Sequence, residues 1–246
     1  MASAPNDEDL MNRTLELMKR YNVTGVVSGS VERVRGWRGA EPDRVIPALE
    51  SWGQHPIETI RAGVAKGDIR VLGELEFQYF GLSPSDPLPE QYFALAEELD
   101  IPVGLHMGPG PPGAPYVGRP KYRVGLGDPL LLEETLIRHP KLRSYVMHAG
   151  YPMADRMIGL LYAHPQVCVD IAVLNWSEPR SEFYSYLRRL VVAGFGKRIL
   201  FGTDQMLWPE TIRIAIETVE WADFLSTEEK RDILYNNAVR FLRLKQ

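Results

Sequence analysis

The sequence predicts an α/β fold built on a parallel sheet. Three observations carry this: short apolar runs alternate with helical patterns along the 246 residues, several runs are apolar on both pleat faces, and no linker-like break interrupts them. One domain spanning residues 1–246 is expected, since α/β barrels of this length commonly form a single unit. Periodicity alone is equally compatible with a (β/α)8 barrel and an open doubly wound sheet.

The chain opens on a helix over about residues 7–21. Asn6 can cap it, Asp7 and Glu8 suit the positive end of its dipole, and Met11, Leu15 and Met18 recur at helical spacing. Seven strand-like runs follow, at residues 23–28, 45–49, 69–76, 102–107, 142–149, 167–173 and 199–204. Helical patterns at 56–66, 90–99, 129–138, 153–163 and 181–192 separate most of them, at lengths that suit right-handed crossovers. Near the C-terminus, Ser226 and Glu229 form a capping box. Leu234, Ala238 and Phe241 then mark an apolar face, expected to pack on the outside of the sheet without a chemical role.

Composition excludes several classes of function. The net charge is −4 and no basic stripe is present, which argues against nucleic acid and anionic membrane as partners. No apolar stretch approaches the roughly 18 residues that span a bilayer. The lone Cys168 lies in an apolar run, so no disulfide framework exists. The opening MASAPNDEDL lacks the basic and apolar regions of a signal peptide. A cytoplasmic protein acting on a small molecule is the expectation.

The informative residues stand at strand ends. Glu74 in VLGELE, His106 in VGLHMG, His148 in YVMHAG and Asp204 in LFGTD each follow an apolar run. Taken singly, each has a structural reading: a hydrogen-bonded histidine, an exposed strand terminus, a helix cap. Taken together, four strands of a parallel barrel would bring two imidazoles and two carboxylates to one mouth. Buried carboxylates are costly without partners, and a cation between these groups would supply one. The donor set suits one divalent ion, Zn²⁺ first, with Mn²⁺ or Fe²⁺ as alternatives. His55, His139 and His164 each precede a proline and are expected away from the mouth, the last two against helix-terminal carbonyls. Asp170 fits the mouth and a structural hydrogen bond equally well.

One loop stands out. Eleven of the 21 residues at 107–127 are Gly or Pro, directly after His106. Loops of this length inside a domain often serve as lids. Arg119, Tyr122 and Arg123 are its candidate substrate-binding donors, beside Tyr116 and Lys121, for an anionic or oxygen-rich substrate. A merely solvated surface loop is the competing reading.

The segments GELE, PVGLHMG, YVMHAGYP, ILFGTDQMLWPE and ILYNNAVRFLRL, in that order, resemble the amidohydrolase family 2 proteins related to aminocarboxymuconate-semialdehyde decarboxylase. The likeness runs from about Val23 to Leu244. It implies a (β/α)8 TIM-type barrel with a divalent metal at its mouth. His106 matches a metal ligand, His148 a second ligand or catalytic acid/base, and Asp204 a metal-binding proton acceptor. Glu74 matches an acidic ligand that some members use. The family's first strand carries a His-x-His pair, and no such pair occurs here, so seven strands are expected. Relatives that hold one metal with a carboxylate and two histidines imply that Glu74, His106 and His148 suffice.

The activity expected on these grounds is metal-assisted hydrolysis of a carboxylate-bearing lactone, amide or ester. Non-oxidative decarboxylation on the same site is the alternative, and a barrel that binds without catalysis is a third reading. Two unpaired sheet edges make a homodimer a further expectation.

Overall fold

The computed structural model describes residues 1–244. Helix α1 (Asp7–Arg20) begins where Asn6 accepts the Asp9 backbone N–H at 2.8 Å, and it buries Leu10, Leu15, Leu17 and Met18. The chain then alternates β1 (Gly25–Gly29), α2 (Val31–Ala40), β2 (Val45–Ser51), α3 (Ile57–Ala65), β3 (Val71–Leu75), α4 (Pro87–Glu98), β4 (Val103–His106), α5 (Glu133–Arg138), β5 (Ser144–Met147), α6 (Ala154–Ala163) and β6 (Val167–Asp170). Helices α7 (Leu174–Ser177) and α8 (Arg180–Leu190) lead to β7 (Ile199–Leu200), and α9 (Thr211–Glu220) follows. A last helical stretch runs from α10 (Thr227–Arg231) through a π turn (Asp232–Asn236) into α11 (Asn237–Leu242).

All seven strands pair parallel in sequence order, β1 to β7. The sheet is a barrel wall one strand short, open along the seam between β1 and β7. Helices α1 and α9 meet outside that seam, where Ile212 joins Leu10, Leu15 and Met18 in one apolar cluster.

Strand periodicity sorts the core into two layers. On β5, Val146 faces the helices, in the cluster that holds Phe93, Met157 and Phe183, whereas Tyr145 and Met147 face the concave side with Ile46, Ala48, Val71 and Leu200. The run is therefore apolar on both faces because both faces are covered.

The final helix departs from the expectation that it packs outside. Phe241 sits in the concave cluster, edge-on to Tyr145 with ring centroids 5.7 Å apart. The same stretch satisfies the free edge of β7: the Phe201 N–H donates to Ile233 O at 3.1 Å, and Asn237 Nδ2 donates to Ile199 O at 2.7 Å. Its apolar face was legible in the sequence, but the side of the sheet it would choose was not. An open seam leaves the inner face accessible, and unpaired strand groups need partners.

Helices α2 and α9 were not singled out from the sequence. VERVRGWRGA buries only Val34 and Trp37, and TIRIAIETVE is rich in β-branched residues that blur a helical reading.

A candidate metal centre at the strand ends

Glu74 owes its aim to a bulge in β3. Leu72 pairs with Val103 and Leu75 with Leu105, so β3 spends one more residue than β4 across the same span, and the register with β2 slips likewise. A bulge re-aims the side chain it carries. Gly73 permits it, since a Cβ there would lie 3.2 Å from the Gly104 backbone nitrogen.

His106 is the buried last residue of β4. Its Nδ1 donates to Glu74 Oε1 at 2.5 Å, and its Nε2 lies 3.2 Å from the Tyr79 hydroxyl. His148 follows β5 in a left-handed backbone conformation shared with Ala149. Such conformations cost about 1–3 kcal/mol each and persist where surroundings enforce them. The restraints are visible here: the His148 N–H donates to Asp170 Oδ1 at 2.8 Å, and its Nδ1 donates to Ala172 O at 3.1 Å. Tyr186 Oη donates to Ala149 O at 2.8 Å. His148 Nε2 is thereby turned towards Glu74 Oε1, 3.5 Å away. Of eight non-glycine residues with left-handed φ among those described, five (His148, Ala149, Val173, Asp204 and Met206) follow β5, β6 or β7. Strain is concentrated at this mouth.

Among the described residues, Glu74, His106 and His148 form a group whose ligand atoms all lie within 4.8 Å of one another. The residues fit a divalent cation by donor chemistry. Each imidazole has its second nitrogen held by an oxygen, which fixes the orientation of the ligating one.

The electrostatics show how tightly these groups are coupled. Burial alone would raise the Glu74 carboxyl, but the hydrogen bonds and charges of His106 and His148 outweigh it and hold Glu74 well below the usual carboxylate range. Burial disfavours charge on His148, yet its bond to Glu74 and the nearby carboxylates push it up to about 10. Asp204 lines the same cavity as Glu74, without belonging to the close-set ligand group. Burial, then the charge of Glu74, push its carboxyl up to about 7.

Asp170 proves to be a structural acceptor, taking the His148 and Ala172 N–H groups on one oxygen. His139 lies away from the mouth but not against helix-terminal carbonyls: its two ring nitrogens bridge Glu97 and Glu90 at 3.0 and 2.8 Å. His164 likewise meets a carboxylate, Glu133, at 3.4 Å. A carboxylate is the stronger acceptor, and its arrival from a neighbouring helix could not be read locally.

The loop at 107–127 folds back on the site through Tyr79. Tyr122 is buried, accepts the Gly110 N–H at 2.8 Å, and stacks obliquely 5.4 Å from the Tyr79 ring. The Arg119 guanidinium lies 5.2 Å from the Phe80 ring centroid and 5.8 Å from that of Tyr79. Arg123 is exposed and donates to Pro120 O and Tyr122 O of its own loop. Arg119 and Tyr122 thus pack against Tyr79, the neighbour of His106, and Arg123 braces the loop.

Sequence reasoning passed over Arg33, Glu50, Glu76 and Tyr79. Glu50 directly follows an apolar run, so the strand-end argument could have found it. Burial and Glu74 raise its carboxyl, against the opposing pull of Arg33 and Arg119. Glu76 is pushed up to about 7 by burial and by Glu74 and Glu50. Tyr79 belongs to a single 3-10 turn, which has no periodic signal.

A family model described as Amidohydrolase matches residues 2–244. No curated protein matches the chain. Among solved structures, an uncharacterised TIM-barrel protein from Bordetella bronchiseptica is similar at 18% identity and TM-score 0.77, over 99% of this chain and 86% of that one. A probable 2-pyrone-4,6-dicarboxylic acid hydrolase from Acinetobacter baumannii, with citric acid bound, gives 14% and 0.71 over 95% and 89%. A dihydroxybenzoic acid decarboxylase from a Polaromonas species, with bound manganese and an inhibitor, gives 13% and 0.67 over 96% and 86%. At such identities the likeness is one of fold.

Proposed function

The chain belongs to the amidohydrolase family, and from that premise we propose that it is a metal-dependent decarboxylase of a small carboxylated substrate. The observation that carries the reading is the convergence of Glu74, His106 and His148 on one buried point, with Asp204 in the same cavity. Glu74, His106 and His148 would hold the ion; the bound manganese of the Polaromonas protein supports a divalent one. Asp204 stands outside that set and is left free to carry a proton.

Decarboxylation leaves the electron pair of the broken carbon–carbon bond on the substrate, and a proton must take the place of the departing carbon dioxide. Asp204, whose carboxyl burial and the charge of Glu74 push up to about 7 in the metal-free chain, can take up a proton in this cavity and deliver it. When bound, the metal supplies Lewis acidity that steadies the charge developing on the substrate. Arg119, above the Tyr79 and Phe80 rings, is positioned to orient an anionic group without contributing to the bond change. The carboxylic acids named for the Acinetobacter and Polaromonas proteins support a carboxylate-bearing substrate.

Hydrolysis is the second reading, because Asp204 in its ionised form can take a proton from attacking water. The two readings differ in pH dependence. Decarboxylation needs Asp204 protonated and fades as pH rises through the carboxyl's value, whereas hydrolysis needs it ionised and grows. The test is to incubate metal-loaded protein with a panel of aromatic and unsaturated carboxylic acids and measure carbon dioxide release. Release that disappears in His106→Ala along with the bound metal is expected. Turnover that adds water without releasing carbon dioxide would transfer the site to hydrolysis, and a protein that binds no divalent ion would end both readings.

A further inference from the structure

The strand that carries Asp204 does not aim its carboxyl unaided. Along a parallel strand, successive carbonyls point to opposite neighbours. Leu200 O accepts the Ile171 N–H from the end of β6 at 3.2 Å, and Gly202 O accepts Asn175 Nδ2 from the same side at 2.9 Å, as that alternation requires. Thr203 O ought then to face away from β6. It is turned back instead, accepting Trp176 Nε1 at 2.6 Å and the Val173 N–H at 3.2 Å. This carbonyl lies in the rigid peptide plane that joins Thr203 to Asp204, so its direction governs the φ of Asp204, which is left-handed at +42°. We infer that Trp176 is a positioning residue whose indole N–H turns the Thr203–Asp204 peptide and so aims the Asp204 carboxyl into the cavity it shares with Glu74. For its catalytic consequence the inference rests on the reading of Asp204 as the proton carrier; the clamp itself rests on the backbone geometry.

Three features support it. First, the indole is itself held. Its ring packs obliquely against Trp208 with centroids 6.0 Å apart, and the Trp208 N–H donates to Gln205 O at 2.8 Å, which ties the residue after Asp204 to the same pair of rings. Second, strain is spent on bringing α7 here. Val173 stands at φ +63° and ψ −53°, a strained γ-turn closed by the Leu174 N–H on Ala172 O at 2.7 Å. A β-branched residue rarely adopts that region, and the turn lets α7 begin close behind β6, within reach of the β7 end. Third, the same short segment serves the other flank of the site. Asp170 Oδ1 accepts the His148 N–H and Ala172 O accepts its Nδ1–H, so residues 170–176 hold His148 on one side and Asp204 on the other. Trp176 does not line the cavity and acts only through Asp204. All of these contacts come from the β6 side and are independent of what lies along the seam between β1 and β7.

The test uses the full metal-free chain with its aspartate residues labelled for NMR. A left-handed φ brings a residue's amide and α protons close together, which gives a strong Overhauser effect within that residue. Asp204 and Asp100 both have this conformation, and Asp100, at the turn before β4, is the internal control. Trp176→Phe removes the indole N–H and keeps an aromatic ring. It is expected to lose the effect at Asp204 and retain it at Asp100. Replacing Trp176 with β-(3-benzothienyl)alanine, which keeps the bicyclic shape and puts sulfur in place of N–H, is the second variant should the first not fold, with the same result expected. An effect retained at Asp204 in the folded variants would overturn the inference. In the metal-loaded chain, on an acid that the wild type turns over, the variants should lower kcat by roughly 100-fold, the scale of misplacing a reacting group by about 1 Å, with KM and metal affinity unchanged. An unchanged kcat beside an inactive Asp204→Asn would overturn the positioning role. Normal turnover by Asp204→Asn would instead end the reading of Asp204 as proton carrier, and the NMR result would still decide the clamp.

Discussion

Replacing Asp204 with asparagine should make the metal-free protein more stable at mildly alkaline pH and abolish turnover. The folded chain pushes this carboxyl from 3.8 up to about 7, through burial first and then the charge of Glu74. At about 1.4 kcal/mol per tenfold change in proton affinity, keeping it ionised in the folded state costs about 4 kcal/mol. The cost is shared with Glu74 and Glu50, and the Asp204 charge also supports protonated His148. A gain of about 2 kcal/mol in Asp204→Asn is therefore the working figure. For a chain of this length it corresponds to a rise in Tm of about 4–8 °C. Because the folded-state value is raised, the wild type binds its proton more tightly when folded. Its stability falls as pH climbs from about 4 to about 7, and the advantage of the variant opens over that same window. Thermal unfolding followed by circular dichroism in the presence of a chelator, from about pH 4 to about pH 8, measures it. A variant whose advantage is the same at both ends, or whose Tm is lower throughout, would refute the argument that Asp204 is held ionised against its surroundings.

Two further outcomes concern the ion itself. Tyr79→Phe should weaken metal binding by about 10–100-fold, as expected when the partner of a ligating histidine is removed; chelator competition that finds unchanged affinity would make Tyr79 a packing residue only. Metal binding should also release protons near neutrality, since His148 is pushed up to about 10 and must deprotonate to ligate. Calorimetry in buffers of different ionisation enthalpy should show that release, with apparent affinity rising about tenfold per pH unit between about pH 6 and pH 8. An affinity that does not change with pH would remove His148 from the ligand set.

Much of this architecture is local in origin and could be read before any coordinates. The seven strands lie where apolar runs alternate with helical patterns, and the caps at Asn6 and Ser226 form as their side chains dictate. Five of the seven strand-like runs extend past the C-terminal ends of their strands, whereas the first two stop short of theirs. The run at 199–204 pairs only over Ile199–Leu200, and the residues beyond turn into the left-handed backbone that aims Asp204. Glu74, His106 and His148 were legible as strand-end ionisable groups, and parallel topology brings such ends to one mouth.

What the sequence by itself determined, then, was the order of the elements and which residue types stand at the strand ends, because backbone periodicity and capping depend on neighbours a few residues away. Only the tertiary structure decided the rest. The bulge that aims Glu74, the Asp170 acceptor that holds His148, the Tyr79 contact that ties the long loop to His106, and the last helix closing over the inner face all join groups remote in sequence. Hydrogen bonds and burial act between whatever the fold brings within a few ångströms, and no local pattern records those encounters.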